Sequence, residues 1–244
     1  MPAAELYLAG GALAFYLLDS ALLLYGNELV FVRSRAGWRN LAPSEVLLFG
    51  RHVLLPNPLT PFAPLMRVCW SESASRGAPP VRAAAPGLLL ALRPLQSGVM
   101  LLLLLIAVAL PAMLFFYGQG LLLLALLVSV YALNIAMTFW IWRRRAVLGL
   151  ATRSCTILTV DLLACPPFAI NLVRKITMLQ PLAGDPLLFA RAQFTATGFS
   201  ALCALLARRI RQELAAGEPG DERHRKLEAF QQRLRELDSC PPAS

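Results

Sequence analysis

Two apolar runs, residues 98–117 and 121–142, are separated only by Gly118-Gln119-Gly120, and this spacing restricts the chain more than any other feature. Each run is about the 20 residues that a helix needs to cross the hydrocarbon core of a bilayer. So short a connection forces the two helices to turn back on each other as an antiparallel hairpin. The first run carries Pro111. The second stops at Arg143-Arg144-Arg145, and its Tyr131, Asn134 and Thr138 fall on one helical face as a polar stripe.

Composition extends the membrane reading beyond this hairpin. Of the 244 residues 57% are hydrophobic and only 15% are charged, whereas a soluble domain runs near a quarter charged. The apolar excess needs lipid or other subunits to cover it. Three further runs have the length of a span: residues 6–25, which include Asp19; residues 154–173, which include Asp161; and residues 186–207, which end at Arg208-Arg209-Ile210-Arg211. Pro166-Pro167 interrupts the run at 154–173, because consecutive prolines remove backbone donors and crowd the preceding turn. The expectation is an all-α integral membrane protein of about five transmembrane helices. Its parts are an N-terminal helix at 1–25, a basic cytoplasmic loop region at 26–97 with a flexible linker at 71–86, helices two to five at 98–207, and a cytoplasmic tail at 208–244.

Charge supplies the orientation. With the N-terminus outside and five crossings, every Lys and Arg except Arg174, Lys175 and Arg191 falls in cytoplasmic regions, as the positive-inside rule requires. The predicted location is a cell inner membrane, with the C-terminus cytoplasmic. Arginine far outnumbers lysine in this Ala- and Leu-rich chain, which points to a GC-rich bacterial genome. No base precedes the first apolar run, so that run is expected to stay as an anchor rather than be cleaved as a signal peptide. The net charge of +9 would suggest nucleic acid in a soluble protein. Here the bases flank apolar runs, and the expected partners are the lipid bilayer and its anionic headgroups, met by Arg143, Arg144, Arg145, Arg208, Arg209 and Arg211, with no nucleic acid.

Outside the spans, residues 28–32 are β-prone, Arg35-Ala36-Gly37-Trp38 reads as a turn, and residues 45–55 read as two short strands about Gly50. Pro56, Pro58, Pro61 and Pro64 keep the next stretch from being helical throughout. Either a small β-rich subdomain rests at the membrane face, with Trp38 and Trp70 at headgroup level, or the loop is irregular. Residues 87–95 read as an interfacial lead-in turned at Pro94. In the tail Leu227, Phe230, Leu234 and Leu237 make one apolar stripe on a charged helix. That stripe could meet a partner protein, a second copy, the protein's own loop or the membrane surface.

Ionisable and amide groups within apolar runs are costly and mark candidate sites. Asp19, Asn134 and Asp161, together with the helix break at Pro166 and Pro167, are the candidates. They either converge on a proton, ion or substrate path or tie helices together. Catalysis has no comparable signal. The cysteines form no C-x-x-C pair, His52 and His224 lie apart from any nucleophile motif, and no phosphate loop or metal-binding spacing occurs. No metal and no cofactor is expected. Three functions follow in order: a non-catalytic subunit, scaffold or assembly factor of a membrane complex; a small transporter or channel component using the carboxylates; and a lipid-processing enzyme. Leu55-Pro56-Asn57-Pro58-Leu59-Thr60-Pro61 and Cys165-Pro166-Pro167-Phe168-Ala169-Ile170-Asn171-Leu172 have the look of motifs without pointing to an activity.

Overall fold

A computed structural model of the chain describes residues 3–34, 37–42, 46–69, 86–116, 120–180, 185–216 and 222–239. The expected linker at 71–86 (all but its last residue), Trp70, Arg35-Ala36 and Gly118-Gln119 lie outside these described residues. The chain forms two compact units. One comprises residues 1–22, 54–65 and 82–181; the other comprises residues 23–53, 66–81 and 182–244.

The first unit is helical. It opens with α1 (Ala3–Ser20) and continues with α2 (Pro86–Leu104), a π-helical turn (Leu105–Ala109) and α3 (Leu110–Phe116). These last three are one continuous helix across residues 87–116. Pro94 sits inside α2, so residues 87–95 are part of the helix rather than a separate interfacial segment. The π turn falls immediately before Pro111. A proline in a helix lacks an N–H and collides with the carbonyl four residues back, and a π bulge is one way a helix accommodates that defect. Next comes α4 (Leu121–Arg144), followed by α5 (Thr152–Ala164), the short α6 (Pro166–Ala169) and α7 (Leu172–Met178).

Among the described residues two helices, at 87–116 and 121–144, are long and apolar enough to cross a membrane. Only 22% of the apolar window in each is buried within the chain. Residues 94–142, which make up most of both helices, contain no Lys, Arg, Asp or Glu.

The second unit is α+β. Its strands are β1 (Leu22–Leu24, whose first residue belongs to the helical unit), β2 (Glu28–Ser34), β3 (Gly37–Leu41), β4 (Leu47–Leu48), β5 (Arg51–Leu54) and β6 (Leu65–Cys69). They form two three-stranded sheets, ordered β1-β5-β4 and β3-β2-β6. In the second sheet β2 and β3 pair antiparallel, from Val30 opposite Leu41 to Ser34 opposite Gly37. Gly37 has φ +114°, a conformation that L side chains rarely adopt. The helices α8 (Pro186–Gln193) and α9 (Ala196–Ala216) pack on β3, and α10 (Glu222–Ser239) packs on α9. An aromatic core joins helix to sheet: Phe31 stacks on Phe189 at 6.0 Å, and Phe194 and Trp38 meet them edge-on at 5.0 and 5.7 Å.

The expectation of an all-α protein with five spans is therefore overturned. Two antiparallel sheets are present, and three of the five expected spans do not have the length or the surroundings of one. At 13 residues α5 covers about 20 Å, short of a ~30 Å hydrocarbon core, and Pro166 ends it. The run at 186–207 breaks at Phe194-Thr195 into α8 and α9. There the Thr195 hydroxyl accepts from the Gly198 N–H at 3.2 Å and starts a new helix. Leu202, Cys203, Leu206 and Ile210 of α9 are buried in their own unit. At its 18-residue length α1 is not among the helices long and apolar enough to span.

Candidate functional site

The two proline-rich phrases meet in the helical unit. In the first, Pro56, Pro58, Pro61 and Pro64 have no N–H, so the segment carries more carbonyl acceptors than donors. It folds into two successive turns: Thr60 donates to the Asn57 carbonyl and Ala63 to the Thr60 carbonyl, both at 3.1 Å. The Asn57 side chain accepts from the Leu59 N–H at 2.9 Å. Side chains from elsewhere supply the missing donors. Arg174 Nη2 donates to the carbonyls of Asn57 (2.7 Å) and Thr60 (2.9 Å). The Tyr16 hydroxyl donates to the Pro58 carbonyl, and Gln96 Nε2 donates to the Phe62 carbonyl at 3.0 Å.

In the second phrase, Pro166 and Pro167 occupy the first turn of α6, where missing N–H groups cost little. The reversal they impose brings Lys175 to Asp161. Fourteen residues of uninterrupted helix would hold these groups about 21 Å apart along the axis, yet Lys175 Nζ donates to Asp161 Oδ2 at 3.1 Å. It also bonds Asp19 Oδ1 at 3.0 Å, and the ammonium lies 5.0 Å from the centre of the Phe168 ring. One cation thus serves two carboxylates.

Asn171 connects this triad to Arg174. Its Nδ2 donates to Asp19 Oδ2 (3.0 Å) and Ser20 Oγ (2.9 Å), and its Oδ1 accepts from Arg174 Nη1 at 3.3 Å. A carboxylate on one side and a guanidinium on the other fix which way the amide points. Ser20 passes its own proton to the Tyr16 carbonyl at 2.8 Å. Arg174 is 4% exposed, and among the described residues no carboxylate lies within ion-pair distance of it. Burial pulls its pKa below the usual arginine value, against the opposing effect of Tyr16. An arginine still keeps its proton near neutral pH. Asp19, Asp161, Lys175 and Arg174 together sum to zero formal charge.

Two of the three intramembrane candidates converge here, and the third does not. Asp19 and Asp161 meet on Lys175. Asn134 is fully buried, and its Nδ2 donates to the Leu162 carbonyl at 2.9 Å, tying α4 to α5. Sequence reasoning missed Lys175, Arg174, Asn171, Asn57 and Thr60, although the last three lie within the two phrases that resembled motifs. It also placed Arg174 and Lys175 on the opposite side of the membrane from residues 26–97. The hydrogen bonds from Arg174 to Asn57 and Thr60 rule that out, because residues in contact share one side.

The expected headgroup-binding arginines divide. Arg143, Arg144 and Arg145 are exposed at the end of α4, where Arg144 lies 5.3 Å from the Trp140 ring centre. Trp140 and Trp142 are anchored there by bonds to the Ala91 carbonyl and Thr159 Oγ1. Arg208 and Arg211 are exposed on α9. Arg209 is half-buried and donates to the carbonyls of Gly26 (3.2 Å) and Glu28 (3.0 Å); burial lowers its pKa, with Glu213 opposing. On α10, Leu227 and Leu234 are buried and Phe230 is partly so, while the side chain of Leu237 lies outside the described residues. Among the described residues no group of three His, Cys, Asp or Glu could hold a metal ion.

No family model, curated protein or solved structure matches this chain.

Proposed function

We propose that this is a multi-pass protein of a bacterial inner membrane that serves as a non-catalytic subunit, scaffold or assembly factor of a membrane complex. The observation that carries the reading is the internal pairing of the candidate site. Asp19 and Asp161 are both engaged by Lys175, and Arg174 is engaged by carbonyls. A proton path needs a carboxylate free to exchange its proton during turnover, whereas both carboxylates here are ion-paired to one ammonium at 3.0 and 3.1 Å. The cluster has the chemistry of a clasp between segments distant in sequence.

The same reading gives an orientation. A hairpin of the two long apolar helices leaves every Lys and Arg on one side of the bilayer, since none occurs between residues 94 and 142. By the positive-inside rule that side is the cytoplasm, with Arg143, Arg144 and Arg145 against anionic headgroups. Alkaline phosphatase inserted after Gly118 is expected to be active, and fused after Ser244 inactive; activity at Ser244 sinks the orientation. For the subunit role, mild-detergent extracts are expected to contain the chain in a discrete complex well above its own 26.6 kDa. A purified monomer that carries a proton-coupled flux in liposomes, lost in Asp161→Asn, would replace this reading with transport.

A further inference from the structure

The turn between β4 and β5 is built against the ordinary preference of its residues. Leu48 pairs with Arg51 and Leu47 with His52, leaving Phe49 and Gly50 as a two-residue loop. Both have positive φ, +52° and +72°. Such a loop favours Asn, Asp or Gly at its first position, and among the described residues Phe49 is the only non-glycine with positive φ. Packing does not offset the misfit, because the Phe49 ring is 90% exposed. Val46, Leu47 and Leu48 before it are 64%, 60% and 47% exposed. Four consecutive exposed apolar residues at the tip of a short hairpin invite aggregation in water.

The surrounding charge says what covers this tip. Arg51 follows the turn, bonds the Tyr25 hydroxyl and lies over the Tyr25 ring at 4.3 Å from its centre. Arg51 and His52 follow the tip and no Asp or Glu occurs from residue 46 to residue 71, although Glu45 precedes it and Arg67 is taken up by an ion pair with Glu28. An apolar tip with an arginine and a tyrosine at its base matches the layering of a membrane interface, where hydrocarbon gives way to anionic headgroups.

We propose that the β4–β5 hairpin is a membrane-dipping tip. Phe49 and its apolar neighbours enter the outer acyl region of the bilayer, and Arg51 meets lipid phosphate. The proposal rests on the membrane reading above, and its test separates the two. The full chain carrying p-benzoylphenylalanine in place of Phe49 is reconstituted into nanodiscs containing phosphatidylglycerol and illuminated. A second preparation carries the photoprobe in place of Phe139, which is 64% exposed on α4. Lipid adducts at both positions, identified by mass, are the expected result. Adducts at 139 with none at 49 overturn the dipping tip and leave the transmembrane hairpin standing. Adducts at neither position overturn the membrane reading itself. A crosslinked dimer through position 49 also overturns the proposal, assigning the tip to a second copy of the chain.

Discussion

At Arg174 one side chain satisfies three acceptors, while among the described residues no carboxylate stands beside its charge. Removing it takes a charged donor from the carbonyls of Asn57 and Thr60, which keep their turn bonds from Thr60 and Ala63, at about 1.5–3 kcal/mol for each hydrogen bond to a charged group. Arg174→Met is therefore expected to lower the unfolding midpoint in detergent sharply. Arg174→Lys should lower it less, because a single nitrogen serves both carbonyls and an ammonium can stand in its place. Lys175→Met leaves Asp19 and Asp161 without their shared cation. The side chain of Asp161 is 36% exposed, so solvent softens the loss to about 1–3 kcal/mol, below the ~3–5 kcal/mol of a fully buried pair. Adding Asp161→Asn to Lys175→Met should restore part of the midpoint; no recovery would show that the ion triad does not hold the clasp. The carboxylates were legible in sequence as expensive residues in apolar surroundings. Their partner was not, because Lys175 sits 14 residues from Asp161 and only the fold-back at Pro166-Pro167 makes them neighbours.

Among elements, the two long apolar helices pack against each other at Gly98. A Cβ there would lie 2.9 Å from Sδ and 3.2 Å from Cγ of Met137. Both atoms belong to a flexible side chain, so Gly98→Ala should be tolerated with little change in midpoint. Gly98→Leu must part the helices, as close packing in membranes depends on small residues, and is expected to lower the midpoint by several degrees. Equal behaviour of the two variants would mean that the helices do not pack through Gly98. This helix pair was readable directly from two apolar runs and a three-residue connection. The other expected spans misled because apolar content alone does not separate a lipid-facing helix from a core helix. In α9 the buried positions Leu202, Cys203, Leu206 and Ile210 form one stripe in a helix that packs on α8, α10 and β3, and its arginines lie in the helix rather than beyond it. The strand at 28–34 was legible as the β-prone run 28–32, whereas the strand at 37–41 takes in Gly37 and Trp38, which read as part of a turn, and has no β-branched residue to mark it.

For the whole molecule, all 23 bases lie outside residues 94–142, which hold most of the helical pair and its connection. Introducing bases into that connection, as Gly118→Arg with Gln119→Arg, is expected to impair insertion, read as a loss of chain from the carbonate-resistant membrane fraction. Unchanged insertion would show that charge does not set the orientation. Arg174 and the turn it holds are 117 and 114 positions apart in the chain, and both apolar helices lie between them. At about 5–20 residues per second of synthesis, a ribosome needs roughly 6–23 s to travel from Asn57 to Arg174. Throughout that interval the proline turn has no arginine to bind. The clasp is therefore a late event in the life of the nascent chain, closing only once the hairpin has been made, and any factor that shelters exposed carbonyls has a defined window in which to act.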